Sequence, residues 1–271
     1  MHNSIMVNKF RVFLAVALFA ISASSHADLQ DATEAYEKGN YPAALKEFRQ
    51  MASTGDAYAQ YNLGVMYQKG HGVPQDYKQA ADWYQLAAKQ GDPDGQSALG
   101  LLYQYGLGVP QSYAEASGLY HQAAGKGHSG AQYNLGYMYH HEKGMPRNYK
   151  EAAWWYRKSA DQGNHLAQNG LGELYEKGHG LPQDFHEAAS WYFKSAEQGN
   201  AQAQYRLGLL YETGKGVPQD WMKAHMWFNL AAGEGIDEAE LHRKHAEWKL
   251  DAAQVEQAQA MARKWRAEHV K

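Results

Sequence analysis

Residues 57–92 read AYAQYNLGVMYQKGHGVPQDYKQAADWYQLAAKQGD, and the pair Leu63-Gly64 within them returns as Leu99-Gly100, Leu135-Gly136, Leu171-Gly172 and Leu207-Gly208. The spacing is 36 residues each time. A fixed period in the range of about 20 to 50 residues marks a solenoid, in which each unit buries its apolar face only against its neighbours. Residues 57–235 are therefore one unit written five times.

Within the unit, Ala59, Gln60, Leu63, Met66 and Tyr67 fall on about one third of the circle at 100° per residue, which predicts an amphipathic helix. Gly70-His71-Gly72-Val73-Pro74 ends it, since glycine permits positive φ and Pro74 cannot continue the helix. Asp76 with Gln79 resembles a capping box for a second helix, as do Ser112/Glu115, Asn148/Glu151 and Asp184/Glu187. On that helix Ala80, Trp83 or Tyr84, Ala87 and Ala88 share a face, mixing small residues with space-filling aromatics. Gly91, Gly127, Gly163, Gly199 and Gly235 then act as left-handed caps that turn the chain into the next unit.

The flanks depart from this pattern. Residues 28–56 read as a shortened first unit, with Gly39-Asn40-Tyr41, Ala44 and Gly55 standing 36 residues before their counterparts. Residues 236–271 lose the repeat but keep helical periodicity in Leu241, Ala246 and Leu250, and Asp251 caps a last helix over 252–268, as closing units of solenoids require. At the other end, Lys9 and Arg11 precede the apolar run Val12 to Ile21, and Ser25-His26-Ala27 offers small residues to a signal peptidase. Cleavage is expected after Ala27, giving a periplasmic or secreted product. The run is ten residues long, where a spanning helix needs about 20. No membrane insertion is expected after cleavage.

Losing residues 1–27 removes two basic residues and no acidic one, which moves the formal charge from −3 to −5. That mild acidity argues against a nucleic-acid partner, which demands a basic stripe. The absence of cysteine removes disulfides, thiol nucleophiles, cysteine metal sites and a lipoprotein anchor together.

The pattern A-x-A-Q-x-x-L-G-x-x-Y-x-x-G-x-G-V-P-x-D-x-x-x-A-x-x-W-Y-x-x-A-A-x-x-G resembles the Sel1-like repeat family, relatives of tetratricopeptide repeats. The resemblance implies an all-α fold, a right-handed α/α superhelical solenoid of helix-turn-helix repeats. It also implies an exported adaptor or regulator that binds protein, and it places the first helices on the concave face. A cysteine-rich branch of the family has β-lactamase-like activity ascribed to it; this chain lacks the cysteines that define the branch.

Few motifs promise chemistry. The G-x-G-V-P loop joins two helices, whereas a phosphate loop needs glycines between a strand and a helix. In the third unit Glu142 replaces its first glycine. His140, His141 and Glu142 are adjacent and so point about 100° apart, and His71 and His179 lie three units apart, so no metal site is expected. Ser112, Ser159 and Ser195 occupy repeat positions filled elsewhere by Asp or Ala, which reads as structural rather than nucleophilic. No enzyme activity and no cofactor are expected.

The informative positions are those that do not repeat. Opposite Leu63 on the first helix stand Tyr58, Tyr61, Val65 and Gln68, and adding 36 gives a stripe of 20 positions. Nine of them are Tyr, Leu or Val and its four charges are all acidic, whereas a solvated stripe would be rich in lysine and glutamate. Tyrosine gives contact area with few rotors to freeze, which suits an interface. The alternative is that these tyrosines pack between neighbouring first helices.

The candidate groove residues are Tyr58, Tyr61, Leu101, Tyr133, Tyr137, His140, Glu173, Tyr205 and Leu209, with Tyr105, Asn134, His141 and Arg206 on a flanking rim. Asn62 and Asn134 match a position that some tetratricopeptide grooves use for a peptide carboxylate. The expected function is a scaffold that binds a peptide or folded protein of basic and apolar character. The alternatives are a hydrolase related to the cysteine-rich branch and a structural spacer contacted through the second helices.

Overall fold

The computed structural model describes residues 29–269, and the expected export signal lies outside the described residues. Residues 29–37 form α1. It is followed by α2 (Tyr41–Ser53), α3 (Ala57–Lys69), α4 (Tyr77–Lys89), α5 (Pro93–Tyr105), α6 (Tyr113–Gly125) and α7 (Ser129–His141). Then come α8 (Tyr149–Asp161), α9 (His165–Lys177), α10 (Phe185–Glu197), α11 (Ala201–Thr213), α12 (Trp221–Gly233), α13 (Asp237–Glu247) and α14 (Ala252–His269). Among the described residues there is no strand, and no helix is long and apolar enough to cross a membrane. The fold class is all-α, made of helix-turn-helix repeats. Two compact units divide between Ala123 and Ala124.

In the first unit, α3 and α4 pair through Gly64. A Cβ there would lie 2.4 Å from the ring of Tyr84, so the glycine lets a fully buried aromatic press against the helix backbone. Gly100 and Tyr120 repeat the contact at 2.7 Å, and in the shortened opening unit the buried Phe48 stands in Tyr84's place. Successive pairs are tied by the glutamine of A-x-A-Q, which is buried yet paired. Gln60 Nε2 donates to the Ala52 carbonyl and Gln96 Nε2 to that of Ala88, both at 3.3 Å, so the first helix is fastened to a carbonyl in the last turn of the helix before it, one that also accepts from the glycine amide of the turn.

The second unit uses the same devices. A Cβ at Gly136, Gly172 or Gly208 would lie 2.5, 2.8 or 2.6 Å from Tyr156, Tyr192 or Phe228. Gln132, Gln168 and Gln204 donate to the carbonyls of Ala124, Ala160 and Ala196. Trp155 and Trp191 are buried beside the tyrosines, so both aromatics of the W-Y pair serve the core here.

The caps differ from the capping boxes read in the sequence. Asp76 Oδ1 accepts from the amides of Lys78 and Gln79, and Asn148 and Asp184 act alike. The reciprocal bond is replaced, because the Asp76 amide donates to the Tyr67 carbonyl at 2.9 Å, and Ser112, Asn148 and Asp184 donate to Tyr103, Tyr139 and Tyr175. That bond ties the start of the second helix to the first helix of the same repeat. A reciprocal box does form at Asp251, whose amide donates to Gln254 Oε1 while its carboxylate accepts from the Gln254 amide.

In the G-x-G turn the second glycine combines positive φ with close approach. A Cβ on Gly108 would sit 2.3 Å from the backbone of Tyr77, and one on Gly180 2.4 Å from that of Tyr149. The turn histidines pack on neighbouring rings: His71 stacks on Tyr41 at 4.2 Å and His179 on Tyr149 at 4.3 Å. Glu142, at φ 56°, is the non-glycine residue holding a left-handed cap among the described residues.

The repeat ends for a steric reason. Adding 36 to Leu207-Gly208 gives Arg243-Lys244, so a lysine occupies the place where a glycine would admit the next buried ring. Arg243 instead pairs with Glu240 and Glu247 on α13 itself. The last helix, α14, packs on α12, with the Trp265 ring 6.1 Å from that of Trp227 and Arg266 bonded to the Asn229 carbonyl at 3.0 Å. Leu241, read as part of a packed periodic face, is consequently 71% exposed; Ala239 and Ala246 fill the α13 contact.

Glycine substitutions separate the close-contact role from mere helix weakening. Gly136→Ala is expected to lower unfolding free energy by about 1–3 kcal/mol, the cost of overpacking against a rigid ring. Gly118→Ala on α6, where a Cβ meets nothing within 4 Å, should raise it by about 0.5–1 kcal/mol. Urea titration of both variants checks the pair.

Candidate functional site

The stripe opposite the core divides by depth into four columns. The first, Tyr58, Asp94, Gly130, Leu166 and Gln202, lies at the start of the first helices, with Tyr58 and Leu166 exposed. The second and third columns are half-buried at every position: Tyr61, Ser97, Tyr133, Asn169, Tyr205, then Val65, Leu101, Tyr137, Glu173, Leu209. The fourth is Gln68, Gln104, His140, Glu176 and Glu212, three of them buried.

In the first unit Tyr61 lies 5.7 Å from the Tyr84 ring, while Leu101 is half-buried on α5 and Tyr105 is 60% exposed at that helix's end. In the second unit Tyr133 stacks on Tyr156 at 5.9 Å, and Tyr137 lies 6.3 Å from Tyr133 and 4.2 Å from His141. Tyr205 rests on Phe228 at 6.0 Å, with Leu209 packed on the same cluster. The tyrosines thus do both things that the sequence left as alternatives. Tyr61, Tyr133 and Tyr205 each lie against the core aromatic of their own repeat and stay half-exposed, with the His242 ring also beside Tyr205. An aromatic held this way loses little entropy when a partner covers it.

The fourth column belongs to the core, which corrects its reading as outward-facing. Tyr84 donates its hydroxyl to Gln68 Oε1 at 2.6 Å, Tyr120 to Gln104 Oε1 at 2.9 Å, and Tyr192 to Glu176 Oε2 at 2.6 Å. Each buried hydroxyl therefore has an acceptor 16 residues upstream, as a buried phenol requires. His140 holds the same place before Tyr156, meeting its ring edge-on at 6.0 Å, and is 7% exposed, so it offers a partner no open surface. Its Nδ1 is buried without a hydrogen bond. In the last repeat Phe228 has no hydroxyl, and the freed Glu212 carboxylate takes His242 at 2.8 Å and His245 at 2.7 Å from α13.

The stripe's acidic character is largely spent inside the molecule. Glu173 pairs with Lys177, Glu176 accepts from Tyr192 and lies 3.8 Å from Arg206, and Glu212 holds its two histidines. Burial pushes the Glu173 carboxyl up, but the Lys177 hydrogen bond and charge, with His140 and Arg206 beyond, outweigh it and hold the group below the usual carboxylate range. Of the rim, Asn134 is half-buried, Arg206 faces Glu176, and His141 is exposed against Tyr137. Among the described residues no three His, Cys, Asp or Glu side chains converge as a metal site.

Sequence reading missed the tyrosine acceptors because the fourth column varies from unit to unit and was counted among the departures. The available signal was chemical: Gln, Gln and Glu all accept a hydroxyl bond, and they stand before Tyr84, Tyr120 and Tyr192.

Burial, reinforced by neighbouring His141, lowers the His140 pKa from 6.5 to about 4. Because the unfolded chain then binds the proton more readily, the folded state is unpenalised above pH 6.5 and loses stability as pH falls from 6.5 towards 4. His140→Gln removes that loss and restores the acceptor found in Gln68 and Gln104. Its stability advantage over the wild type should grow by up to about 3 kcal/mol between pH 7 and pH 4 in denaturant titrations.

The Sel1 repeat family matches residues 57–92, 93–128, 129–164, 165–200 and 201–236. Among solved structures the chain is similar to a protective antigen present in uropathogenic Escherichia coli strains that displays an SLR fold. The two are 33% identical with a TM-score of 0.77 over 94% of this chain and 55% of that one, so this chain spans about half of that relative's length. A Sel1 repeat protein from Oxalobacter formigenes is 32% identical, TM-score 0.73, over 78% of this chain and 84% of that one. An immunity protein from Pseudomonas aeruginosa is 20% identical, TM-score 0.51, over 75% and 81%, a likeness of fold alone. No curated protein matches the chain.

Proposed function

Since the chain belongs to the Sel1 repeat family, whose members are in general protein-interaction scaffolds, we propose that it is a non-catalytic module that holds a peptide or folded protein against the half-open tyrosines of its first helices. The observation that carries this reading is the anchoring of Tyr61, Tyr133 and Tyr205 on Tyr84, Tyr156 and Phe228. Rings fixed from behind and open in front supply contact area at low entropic cost.

The pairing of Glu173, Glu176 and Glu212 within the chain shifts the weight of recognition from charge to ring area and hydroxyl bonding. A basic group on the partner would first have to displace Lys177 or Arg206. The contact should therefore survive salt better than an acidic stripe alone would suggest.

The test is recovery of partners from envelope extract by wild type and by a Tyr133→Ala, Tyr137→Ala double variant. Loss of at least one partner from the variant, with unchanged circular dichroism, is expected. Equal recovery of every partner would refute the assignment of this face.

We place the protein in the periplasm or outside the cell, on the strength of Lys9, Arg11, the apolar run Val12 to Ile21 and Ser25-His26-Ala27. N-terminal sequencing of protein recovered from an envelope fraction should begin at Asp28.

A further inference from the structure

A different surface lies on the outer side of the second helices. On α8, Trp154 is 48% exposed, where the first, second and fourth repeats carry Asp82, Gly118 and Ser190. Its ring is braced rather than loose: buried Trp155 meets it edge-on at 4.3 Å, and the Lys158 ammonium sits 3.8 Å from its centroid. Trp154 and Lys158, together with Lys150, Arg157 and Leu181, line a cleft of about 430 Å³. Three cations face it against one acid, Asp161. Lys158 and Arg157 are engaged with aromatic rings, and none of the three cations forms an ion pair with a carboxylate among the described residues.

The last repeat shows what this side of a second helix can carry. There the positions of Trp154, Arg157 and Lys158 are Met226, Asn229 and Leu230. Met226 and Leu230 are buried in the cluster that contains Trp265 of α14, and Asn229 accepts from Arg266 of α14. On α8 the same face has a larger ring, an open cleft and unmatched positive charge.

We propose that the Trp154 cleft is a second docking site, independent of the tyrosine face, and that it takes an acidic protein segment bearing one apolar side chain. The apolar side chain lies against Trp154 and Leu181, and flanking carboxylates meet Lys150 and Lys158. Charge complementarity selects the occupant, and the cleft's volume, at the low end for ligand sites, limits it to a single anchoring side chain with its neighbours.

The indole Nε1–H signals of the eight tryptophans of the ¹⁵N-labelled protein provide the readout, with Trp154 assigned from its loss in Trp154→Phe. The probe is a blocked Asp-Glu-Phe-Glu-Asp peptide, titrated to about 1 mM beside a Lys-Lys-Phe-Lys-Lys control. A saturable shift of the Trp154 signal with the acidic peptide alone is expected, weakened on the order of tenfold by Lys158→Glu and also weakened by salt. The Tyr133→Ala, Tyr137→Ala variant should bind the probe unchanged. No saturable shift, or equal shifts with the basic peptide, overturns the proposal. So does a response to phosphatidylglycerol vesicles without one to the peptide, which would make the cleft a lipid-facing surface.

Discussion

The absence of a single carbon atom governs this architecture. At Gly64, Gly100, Gly136, Gly172 and Gly208 a Cβ would fall inside an aromatic ring's van der Waals envelope, so glycine sets the distance between the two helices of each repeat. The buried ring is then held at fixed depth, and its other features follow. Its hydroxyl reaches the fourth column of the first helix, and its face becomes the floor on which the outward tyrosine rests. A glycine therefore determines where a potential contact surface lies, although it touches nothing outside the repeat.

The same constraint explains how the array stops. Lys244 stands at the glycine position, and Arg243 replaces the buried leucine before it. No ring can seat there, so α14 takes the outer face of α12. Glu212, released from its duty to a tyrosine by Phe228, becomes the anchor for α13 through two imidazoles. One change of residue in the core thus frees a carboxylate for assembling the end of the fold.

What could be read from the sequence followed from periodicity and backbone chemistry. The repeat, the two-helix unit, the left-handed glycines and the Asp251 cap all rest on local rules that a regular spacing makes visible. The reciprocal capping boxes failed because the amides of Asp76, Asn148 and Asp184 find a carbonyl on the preceding helix, a tertiary partner that local sequence does not display. The outward stripe was legible only in part. Position on a helix wheel placed Tyr61, Tyr133 and Tyr205 correctly at the surface's edge, but it could not show that a hydroxyl from 16 residues downstream turns Gln104 inward. Nor does the wheel show that His140, at the same register, is buried edge-on against the Tyr156 ring. Periodicity does not display the Trp154 cleft, because it forms only when α8 side chains meet Gly180 and Leu181 of the next repeat's turn.

The placement of α14 has a consequence for how the fold comes apart. In arrays held by nearest-neighbour contacts, terminal units open first and opening spreads inward. Here α14 is a clasp: Trp265 and Arg266 grip α12, the second helix of the last repeat, whose Ala224, Phe228 and Ala231 pack with Ala239 of α13 instead. Both exposed sides of the last repeat's second helix are thus covered, one by α13 and the other by α14, so opening from this end has to release α14 first.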